Sequence, residues 1–473
     1  MSDAIKTDIC VIGAGAGGLS VAAGAVQMGA RVVLVEGGRM GGDCLNHGCV
    51  PSKALIAAAH RAQALRDAAR YGIGAVEPQV DYAAVMEHVQ RAIRTIAPMD
   101  SQERFEGLGV RVIRDWARFV SPHEVEAGGF RIAARRFVIA TGSRPAIPPI
   151  GGLDDVPYLT NETLFDLRER PGHLIVLGGG PIGAEMAQAH RRLGSRVTVI
   201  EAARALGRED PELAAVVLAR LRDEGVELCE GRAVRRVAGQ AGAVTVELND
   251  GARLSGTHLL VAAGRRVALD RLAPQAGNIA CDGGVTVGPG LRSVSNRRVY
   301  AVGDAAGGAQ FTHLAGYHAG VVLRAILFGL PARARADHIP RATYTDPELA
   351  QVGQTEGEAR LSHGDGIQVL RLPFAENDRA VAEGETRGIV KLILLKGRPV
   401  GVSIVGAGAG DLIAPWAVAL ANGHGLKTLT DAVLPYPTRS ESARRVAGAY
   451  FSPKLFANPW VKRAVGLVQK ALP

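Results

Sequence analysis

The sequence predicts an α/β protein that contains two Rossmann-like dinucleotide-binding domains and a C-terminal α+β interface domain. A chain of 473 residues is too long for one ordinary domain, so two to four are expected. Two glycine-rich fingerprints with the same internal spacing indicate an internal repeat. From Pro340 onwards, alternating apolar stretches suggest antiparallel strands, and no nucleotide motif occurs. These observations together define the predicted architecture.

Composition and charge exclude several other classes of protein. The hydrophobic content of 47% is normal for a folded chain, and the 60 glycines lie between strong apolar runs, which favours tight turns over disorder. The formal charge of +9 is spread along the chain, so we expect anionic cofactors and no nucleic-acid partner. Five cysteines are too few for a secreted disulfide framework. With no signal peptide and no run of ~18 apolar residues, a cytoplasmic protein is expected.

The first fingerprint consists of a strand, a glycine-rich turn, a helix and a second strand that ends at an acid. Its key residues are Gly13, Gly15, Gly18 and Glu36. Gly13 permits the tight turn, Gly15 lets the backbone approach a pyrophosphate, and Gly18 lets the helix lie close to the strand. The helix N-terminus binds the phosphates, and the acid holds a ribose diol. This full context predicts a dinucleotide site.

Two cysteines five residues apart follow this fingerprint directly. Cys44 and Cys49 lie in a glycine-rich segment that begins at Gly42 and runs into a helix predicted over residues 52–69. A thiol at the start of a helix has a lowered pKa, because the amide groups there favour the thiolate. Lys53 is one turn beyond Cys49 and faces the same way. We expect the pair to close and reopen a small disulfide ring, with His47 as an exposed loop residue.

The segment up to the second fingerprint predicts one more helix, several strands and a turn. The helix is expected over residues 91–108, and strands over 110–120 and 125–132 are expected to form a covering sheet. A buried strand over 136–140 then ends at the turn of Thr141 and Gly142.

The second fingerprint repeats the first with Gly178, Gly180, Gly183 and Glu201. The first glycine and the acid are separated by the same distance in both copies, so two dinucleotides are expected to bind to one chain. An acid at this position repels a 2′-phosphate and favours NADH. Arg204 lies three residues further on and keeps NADPH open as the less favoured alternative. The last strand of this domain ends at Gly264.

The pair Gly303 and Asp304 ends a strand before a helix predicted over 311–327. An acid there can reach the ribityl hydroxyls of a flavin, and an ordinary capped turn is the alternative. Further on, a helix is expected over 411–422, and Glu441 belongs to the opening of another. Residues 458–473 form a basic amphipathic tail, for which packing on the body is favoured over peripheral membrane contact.

With these motifs in place, the chain resembles the class I pyridine nucleotide–disulfide oxidoreductases. That family includes dihydrolipoamide dehydrogenase, glutathione reductase and mercuric reductase. The resemblance covers nearly the whole chain. The motifs that carry it are Gly13-x-Gly15-x-x-Gly18 with Glu36, Gly42-Asp43-Cys44-x4-Cys49-x-Pro51-Ser52-Lys53, Ala140-Thr141-Gly142, Gly178-x-Gly180-x-x-Gly183 with Glu201, Gly303-Asp304 and Pro437-Thr438-x-x-Glu441.

The resemblance implies FAD in the first fingerprint, a nicotinamide in the second, and a homodimer. Ala117 and Lys53 are added to the cofactor-binding residues. The implied domains are an FAD-binding domain over 1–150 and 271–335, an NAD(P)-binding domain over 151–270, and a dimerisation domain with the basic tail over 336–473. No resident metal site is expected.

The resemblance also implies a path for the electrons, from NADH through the flavin to a Cys44–Cys49 disulfide. Cys49 is the thiol nearer the flavin, and Cys44 attacks the substrate. Lys53 and Glu185 are the implied ion pair near the flavin, which stabilises negative charge on it.

Two departures from the family pattern bear on the substrate. Relatives that act on dithiols carry a histidine before Pro437, and here Tyr436 stands in its place beside Glu441. A phenol with a pKa of about 10 is a poor base at neutral pH. Mercuric reductase-like relatives also carry a tyrosine at this position. Mercuric reductase usually adds a C-terminal cysteine pair that hands over the metal, whereas no cysteine follows Cys281 here.

We therefore expect an FAD-dependent NAD(P)H oxidoreductase of the mercuric reductase-like or dihydrolipoamide dehydrogenase-like branch. The final acceptor is a metal ion, a quinone or an unusual disulfide. Dithiol oxidation of the dihydrolipoamide dehydrogenase type and an NADH:quinone reductase at the inner face of a membrane are alternatives. A flavoprotein subunit that relays electrons to a partner is a further alternative.

Overall fold

The computed structural model describes residues 4–472 and confirms the mixed α/β architecture. The chain divides into two structural units. The first comprises the residues up to Ala202 together with Glu227–Ala334, and the second comprises Ala203–Val226 together with the chain from Arg335 onwards. The expected domain boundaries remain predictions. Among the described residues, no helix is long and apolar enough to cross a membrane.

The first fingerprint opens the largest sheet of the first unit. The strands of this part of the chain are β1 (Ala4–Ile12), β2 (Val32–Val35), β3 (Arg111–Ile113), β4 (Arg118–Ser121), β5 (Glu124–Ala127), β6 (Phe130–Ile139) and β7 (Ser143–Pro145). The helices are α1 (Ala16–Gln27), α2 (Gly42–Asn46), α3 (Cys49–Arg66), α4 (Tyr82–Ile96) and α5 (Gln102–Gly107). The strand order is β3-β2-β1-β6-β5-β4, and β1 pairs in parallel with both β2 and β6. Apolar β1 side chains enter the core on both faces of the sheet.

Two expectations for this region are wrong. The strands expected to form a covering sheet belong to the main sheet, because β5 pairs antiparallel with the first half of β6. The helix expected over 91–108 begins earlier, at Tyr82, since Asp81 caps it by accepting a hydrogen bond from the amide of Ala84. It ends at Ile96, and a separate helix, α5, starts after Ser101. Pro98 lies in the break, where a proline cannot donate the helical hydrogen bond.

The second fingerprint forms a smaller parallel sheet. The strands of this part of the chain are β8 (His173–Leu177), β9 (Arg196–Glu201), β10 (Glu227–Glu230), β11 (Val234–Gln240), β12 (Ala243–Leu248), β13 (Arg253–Gly256), β14 (His258–Val261) and β15 (Arg265–Val267). The helices are α6 (Pro181–Arg192) and α7 (Pro211–Asp223). The parallel order is β10-β9-β8-β14, with β11, β12 and β13 in a separate three-stranded sheet.

The chain then returns to the first sheet. Strand β16 (Val299–Ala301) pairs in parallel with the second half of β6, and helix α8 (Thr312–Phe328) follows. Strand β15 pairs antiparallel with β7, which places Arg265 beside the turn that ends β6. The carboxyl end of β6, the end of β16 and the start of α8 therefore lie together.

The second unit is built on a five-stranded antiparallel sheet in the order β17-β18-β21-β20-β19. Its strands are β17 (Arg341–Thr343), β18 (Glu348–Gly353), β19 (Ile367–Pro373), β20 (Ile389–Leu395) and β21 (Arg398–Gly406). Its remaining helices are α9 (Glu356–His363), α10 (Asp378–Ala382), α11 (Ala409–Leu412), α12 (Ala414–Ala421), α13 (Leu426–Thr430), α14 (Glu441–Phe456) and α15 (Pro459–Ala471). The helix expected over 411–422 is thus two short helices.

A buried ionic cluster joins α7 to this sheet within the second unit. The Lys391 ammonium lies 2.8 Å from Asp210, 2.6 Å from Glu212 and 3.2 Å from Glu356. Only 3% of the Lys391 side chain is exposed. The cluster explains why helix α7, which follows the second fingerprint in sequence, belongs to the second unit.

The C-terminal tail departs from expectation. The sequence favoured packing of residues 458–473 on the body of the protein. Instead, no residue of α15 is buried. The expectation was wrong because an amphipathic pattern predicts an apolar face but does not specify what covers it.

Candidate active site

The two fingerprints share one hydrogen bond at the same position. In the first, Glu36 Oε2 accepts from the amide of Ala14 at 2.5 Å. In the second, Glu201 Oε2 accepts from the amide of Gly179 at 2.8 Å. In both cases the acid holds the residue directly after the first glycine, 22 positions earlier. Each carboxylate has further lone pairs, so it can hold its loop and still accept a ribose hydroxyl.

The first glycine of each fingerprint lies against the end of a neighbouring strand. A Cβ on Gly13 would lie 2.3 Å from the carbonyl oxygen of Ala140, and a Cβ on Gly178 would lie 2.4 Å from that of Ala262. Both glycines have positive φ, a region that side chains disfavour. The turns that contain Gly142 and Gly264 therefore lie beside the two loops, as expected for paired nucleotide sites.

The third glycine of each fingerprint leaves no room for a side chain. A Cβ on Gly18 would meet the carbonyl oxygen of Gly13 at 1.9 Å, and a Cβ on Gly183 would meet that of Gly178 at 2.0 Å. The second glycine of the second loop differs, because the space within 4 Å of the Cβ position of Gly180 is open.

Groups around the first loop fit a dinucleotide. A Cβ on Gly42 would lie 2.7 Å from the Cα of Gly15, so the cysteine segment begins directly against the first glycine-rich turn. The buried hydroxyl of Thr141 has no hydrogen-bond partner within the described chain, as expected if a bound ligand satisfies it. Ala117 is buried in the core, and its neighbour Trp116 packs on Gly37. Its place among the cofactor-binding residues stays a prediction.

A chain of polar contacts connects Asp304 to the cysteine segment. Ser143 Oγ donates to Asp304 Oδ2 at 2.5 Å and accepts from Arg265 Nε at 2.8 Å. Arg265 also forms an ion pair with Asp43 at 3.1 Å. Burial raises the pKa of Asp304. Asp43 precedes Cys44, so Arg265 ties the segment carrying the first thiol to the end of β16.

The two cysteines are both free thiols in this structure. Cys49 begins α3 and Cys44 lies in α2, and their sulfurs are hydrogen bonded to each other. That bond, the hydroxyl of Thr312 at 3.3 Å and the charge of Lys53 lower the pKa of Cys49 to about 6. The same bond and burial raise the pKa of Cys44. At neutral pH the pair therefore holds one thiolate, on Cys49, and one proton, on Cys44.

Lys53 and Glu185 lie together, as the family resemblance implies. The ammonium of Lys53 is 2.8 Å from Glu185 Oε2. Glu185 comes from α6, and only 7% of its side chain is exposed. The buried Glu185 carboxylate therefore fixes the Lys53 ammonium one helical turn after Cys49.

Tyr436 and Glu441 lie in the second unit. The Tyr436 hydroxyl donates to Asp378 Oδ2 at 2.8 Å, and the side chain is 70% exposed. That hydrogen bond and the charge of Asp378 raise the pKa of Tyr436. The phenol is therefore a firmly protonated, oriented donor.

Three residues of the site were not anticipated, namely Thr312, Arg265 and Asp378. Thr312 stands at the start of the helix expected over 311–327, and Arg265 directly follows Gly264, so their positions were available as signals. Asp378 carried no signal in the sequence.

His318, in the first half of α8, accepts a hydrogen bond from the amide of Gly303 at 3.2 Å, and burial lowers the pKa of its imidazole. No group of three or more metal-ligating side chains occurs among residues 4–472.

Two dinucleotide loops and a thiol pair beside the first of them define a two-nucleotide disulfide oxidoreductase. Residues 7–319 match the pyridine nucleotide–disulphide oxidoreductase family, and residues 339–447 match its dimerisation domain. The chain belongs to this family. It is an enzyme that uses FAD and a pyridine nucleotide, and the dimerisation domain supports a homodimer.

The chain is 35% identical to a mercuric reductase from Streptomyces lividans over 465 residues, which cover 94% of this chain and 96% of the relative. It is 33% identical to a dihydrolipoyl dehydrogenase from Geobacillus stearothermophilus, with 94% and 96% covered. Among solved structures, the Cu(II) complex of the HOCl-induced flavoprotein disulfide reductase RclA from Escherichia coli aligns with a TM-score of 0.84 at 29% identity, covering 94% of this chain and 99% of that one.

Proposed function

We propose that this enzyme passes electrons from NADH through FAD and the Cys44–Cys49 pair to a soft metal ion. The observation that carries the proposal is the Tyr436–Asp378 hydrogen bond. Family members that reduce or oxidise dithiols need a base that takes a proton from a substrate thiol. A phenol held as a donor by a carboxylate cannot serve as that base near neutral pH.

The thiols themselves suit a soft ion. Thiolates are preferred ligands of soft metals, and Cys49 is a thiolate at neutral pH because its pKa lies near 6. Cys44 supplies the second sulfur and releases its proton as the ion binds. The relatives named mercuric reductase and the related structure determined with Cu(II) support this class of acceptor.

The residues divide the work as follows. Bound FAD supplies the two-electron carrier between the nicotinamide and the thiols. Glu185 holds the Lys53 ammonium in place, and this positive charge stabilises negative charge near the thiols. Asp304, Ser143 and Arg265 position the cofactor end of β16 and the cysteine segment. With Hg(II) the balance is NADH plus Hg²⁺ giving NAD⁺, Hg⁰ and one proton.

The preference for NADH is part of the proposal. Glu201 ends β9 as the ribose-binding acid of the second loop, and its charge disfavours a 2′-phosphate. We expect kcat/KM to be at least roughly tenfold higher with NADH than with NADPH. The substitution Glu201→Gln is expected to narrow that ratio.

The test of the acceptor is a panel assayed with the purified holoenzyme: Hg(II), Cu(II), lipoamide, glutathione disulfide and a short-chain quinone. We expect metal-dependent NADH oxidation to exceed turnover of either disulfide by roughly tenfold or more. Cys44→Ala and Cys49→Ala should each abolish it. Cys281→Ala, which removes an exposed cysteine outside the pair, is the matched control and should retain it.

The alternatives give different results in the same panel. Turnover of lipoamide above that of the metals would establish dithiol chemistry and refute the argument from Tyr436. Quinone reduction that survives Cys44→Ala would indicate a direct flavin route. No turnover with any acceptor, together with a co-purifying redox partner, would favour a relay subunit.

A further inference from the structure

The C-terminal tail lies outside the matched family domains. The dimerisation domain ends at residue 447, whereas the structure continues through the second half of α14 and all of α15. From residue 442 to the end of the chain the sequence contains no acid. It contains six cations: Arg444, Arg445, Lys454, Lys462, Arg463 and Lys470.

Helix α15 has two sharply separated faces. At 100° per residue, the apolar side chains fall within one arc of about 160°. They are Trp460, Val461, Ala464, Val465, Leu467, Val468 and Ala471. The opposite arc carries Lys462, Arg463, Gln469 and Lys470.

The apolar face is uncovered in this structure. Trp460 is 74% exposed, Leu467 69% and Val465 53%. The end of α14 extends the patch with Leu455 and Phe456, which are 51% and 67% exposed. A cluster of exposed aromatic and aliphatic side chains is typical of a surface that binds another protein or a membrane.

We propose that α15 and the end of α14 form a docking surface for an anionic phospholipid bilayer, with α15 lying in the plane of the interface. The apolar arc would enter the headgroup boundary while the lysines and arginine stay at the surface. Interfacial helices of this type pair a Trp-containing apolar face with a cationic one, and Arg463 already lies 5.1 Å from the Trp460 ring.

Charge complementarity selects this occupant. The segment from residue 442 carries six cations and no acid, so a second copy of the tail offers it no opposite charge. Anionic lipid headgroups instead complement the cations. Spanning the bilayer is excluded by length, since 13 helical residues extend about 20 Å and the hydrocarbon core is about 30 Å thick.

Sedimentation of the full-length holoenzyme with vesicles tests the proposal. One set contains about one-third phosphatidylglycerol in phosphatidylcholine, and the other contains phosphatidylcholine alone. We expect binding to the anionic vesicles to be roughly tenfold tighter or more, and to weaken as salt is raised. Equal binding to both sets, or to neither, would overturn the proposal.

Variants assign the binding to the tail. The triple substitution Lys462→Gln, Arg463→Gln and Lys470→Gln should reduce binding roughly tenfold or more. The matched control removes three exposed cations elsewhere, Arg236→Gln, Arg398→Gln and Lys427→Gln, and should leave it unchanged. Loss of binding in the control would show a diffuse charge effect and reject the assignment. NADH oxidation in solution should not change in either variant.

Depth is measured with lipids brominated on their acyl chains. Quenching of tryptophan emission on binding, abolished by Trp460→Phe, is the expected result. If Trp460 is shielded from a soluble quencher in the dimer before vesicles are added, a second copy of this chain covers the helix and the proposal fails.

Discussion

The hydroxyl of Thr312 lies 3.3 Å from the sulfur of Cys49, although 263 residues separate them in the chain. Thr312 is the first residue of α8 and Cys49 the first of α3, so two helices begin at the same sulfur. The hydroxyl can donate to a thiolate, which lowers the cost of removing the thiol proton. This contact helps fix which of the two thiols is charged at neutral pH.

Replacing Thr312 by valine removes that donor while keeping the shape of the side chain. Cys44→Ala removes the largest influence that lowers the pKa of Cys49, so the parent for this comparison is Cys44→Ala itself. Relative to that parent we expect Thr312→Val to raise the pKa of Cys49 by about one to two units, because a hydrogen bond to a charged group is worth about 1.5–3 kcal/mol. The midpoint in pH of the iodoacetamide labelling rate in the Cys44→Ala background measures the change, and Thr312→Ser is the control that should stay close to its parent. An unshifted midpoint in Thr312→Val would show that the hydroxyl does not act on Cys49.

Arg265 connects Ser143 and Asp43, so its loss should loosen the flavin site. In Arg265→Met, Asp43 loses its cation and the orientation of Ser143 towards Asp304 is no longer fixed. We expect FAD to bind roughly tenfold to a hundredfold more weakly, as measured by titrating apoprotein with FAD and following flavin fluorescence. Arg266→Met is the matched control, because Arg266 is the neighbouring arginine and forms its ion pair with the exposed Asp270. Equal weakening in both variants would contradict the role of Arg265.

Asp378 should act on Tyr436 through its charge. In Asp378→Asn the phenol keeps a hydrogen-bonding neighbour but loses the carboxylate, so we expect the pKa of Tyr436 to fall towards its ordinary value. The difference in ultraviolet titration between Asp378→Asn and the double variant with Tyr436→Phe isolates this phenol. If the titration of Tyr436 is the same with and without the carboxylate, the hydrogen bond seen here does not persist in solution.

Tyr436→His tests what the aromatic residue does for substrate choice. An imidazole with a pKa near neutrality can take a proton from a dithiol, so lipoamide turnover should rise roughly tenfold or more. Tyr436→Phe is the control that removes the hydroxyl without adding a base, and it should not raise this activity. No gain in Tyr436→His would show that other features exclude dithiols.

The buried cluster around Lys391 should dominate the stability of the second unit. Lys391→Met leaves Asp210 without its cation in a buried position, which typically costs about 3–5 kcal/mol. Urea unfolding followed by the fluorescence of the buried Trp416 measures the loss. Adding Asp210→Asn to Lys391→Met should recover part of it, because the stranded charge is then gone. Equal stability of Lys391→Met and the parent would show that the cluster contributes nothing net.

Local sequence patterns predicted the features whose determinants lie close together in the chain. The glycine loops, their acids and the pair Cys44 and Cys49 each lie within one short segment of the chain, so spacing alone indicates them. The family resemblance supplied the meeting of Lys53 with Glu185, 132 residues away. The contacts of Thr312 with Cys49 and of Arg265 with Asp43 could not be read from sequence, because they depend on how β16 and β15 join the sheets.

The tail and helix α7 also show that local sequence does not specify which distant part of the chain a helix packs against. The periodicity of residues 458–473 specified an apolar face but not whether the protein covers it. The place of α7 in the second unit follows from Lys391, because Asp210 and Glu212 at the start of α7 join Glu356 around its buried ammonium.

The Lys391–Asp210 pair also sets an order of events during synthesis. Asp210 is made 181 residues before the lysine that neutralises it. At about 5–20 residues per second, the acids of α7 remain without that partner for about 9–36 s on the ribosome. Helix α7 can therefore pack in its final position only after residue 391 has been synthesised. If the ribosome stalls before that residue, the carboxylates at the start of α7 stay without their cation and the helix stays accessible to chaperones.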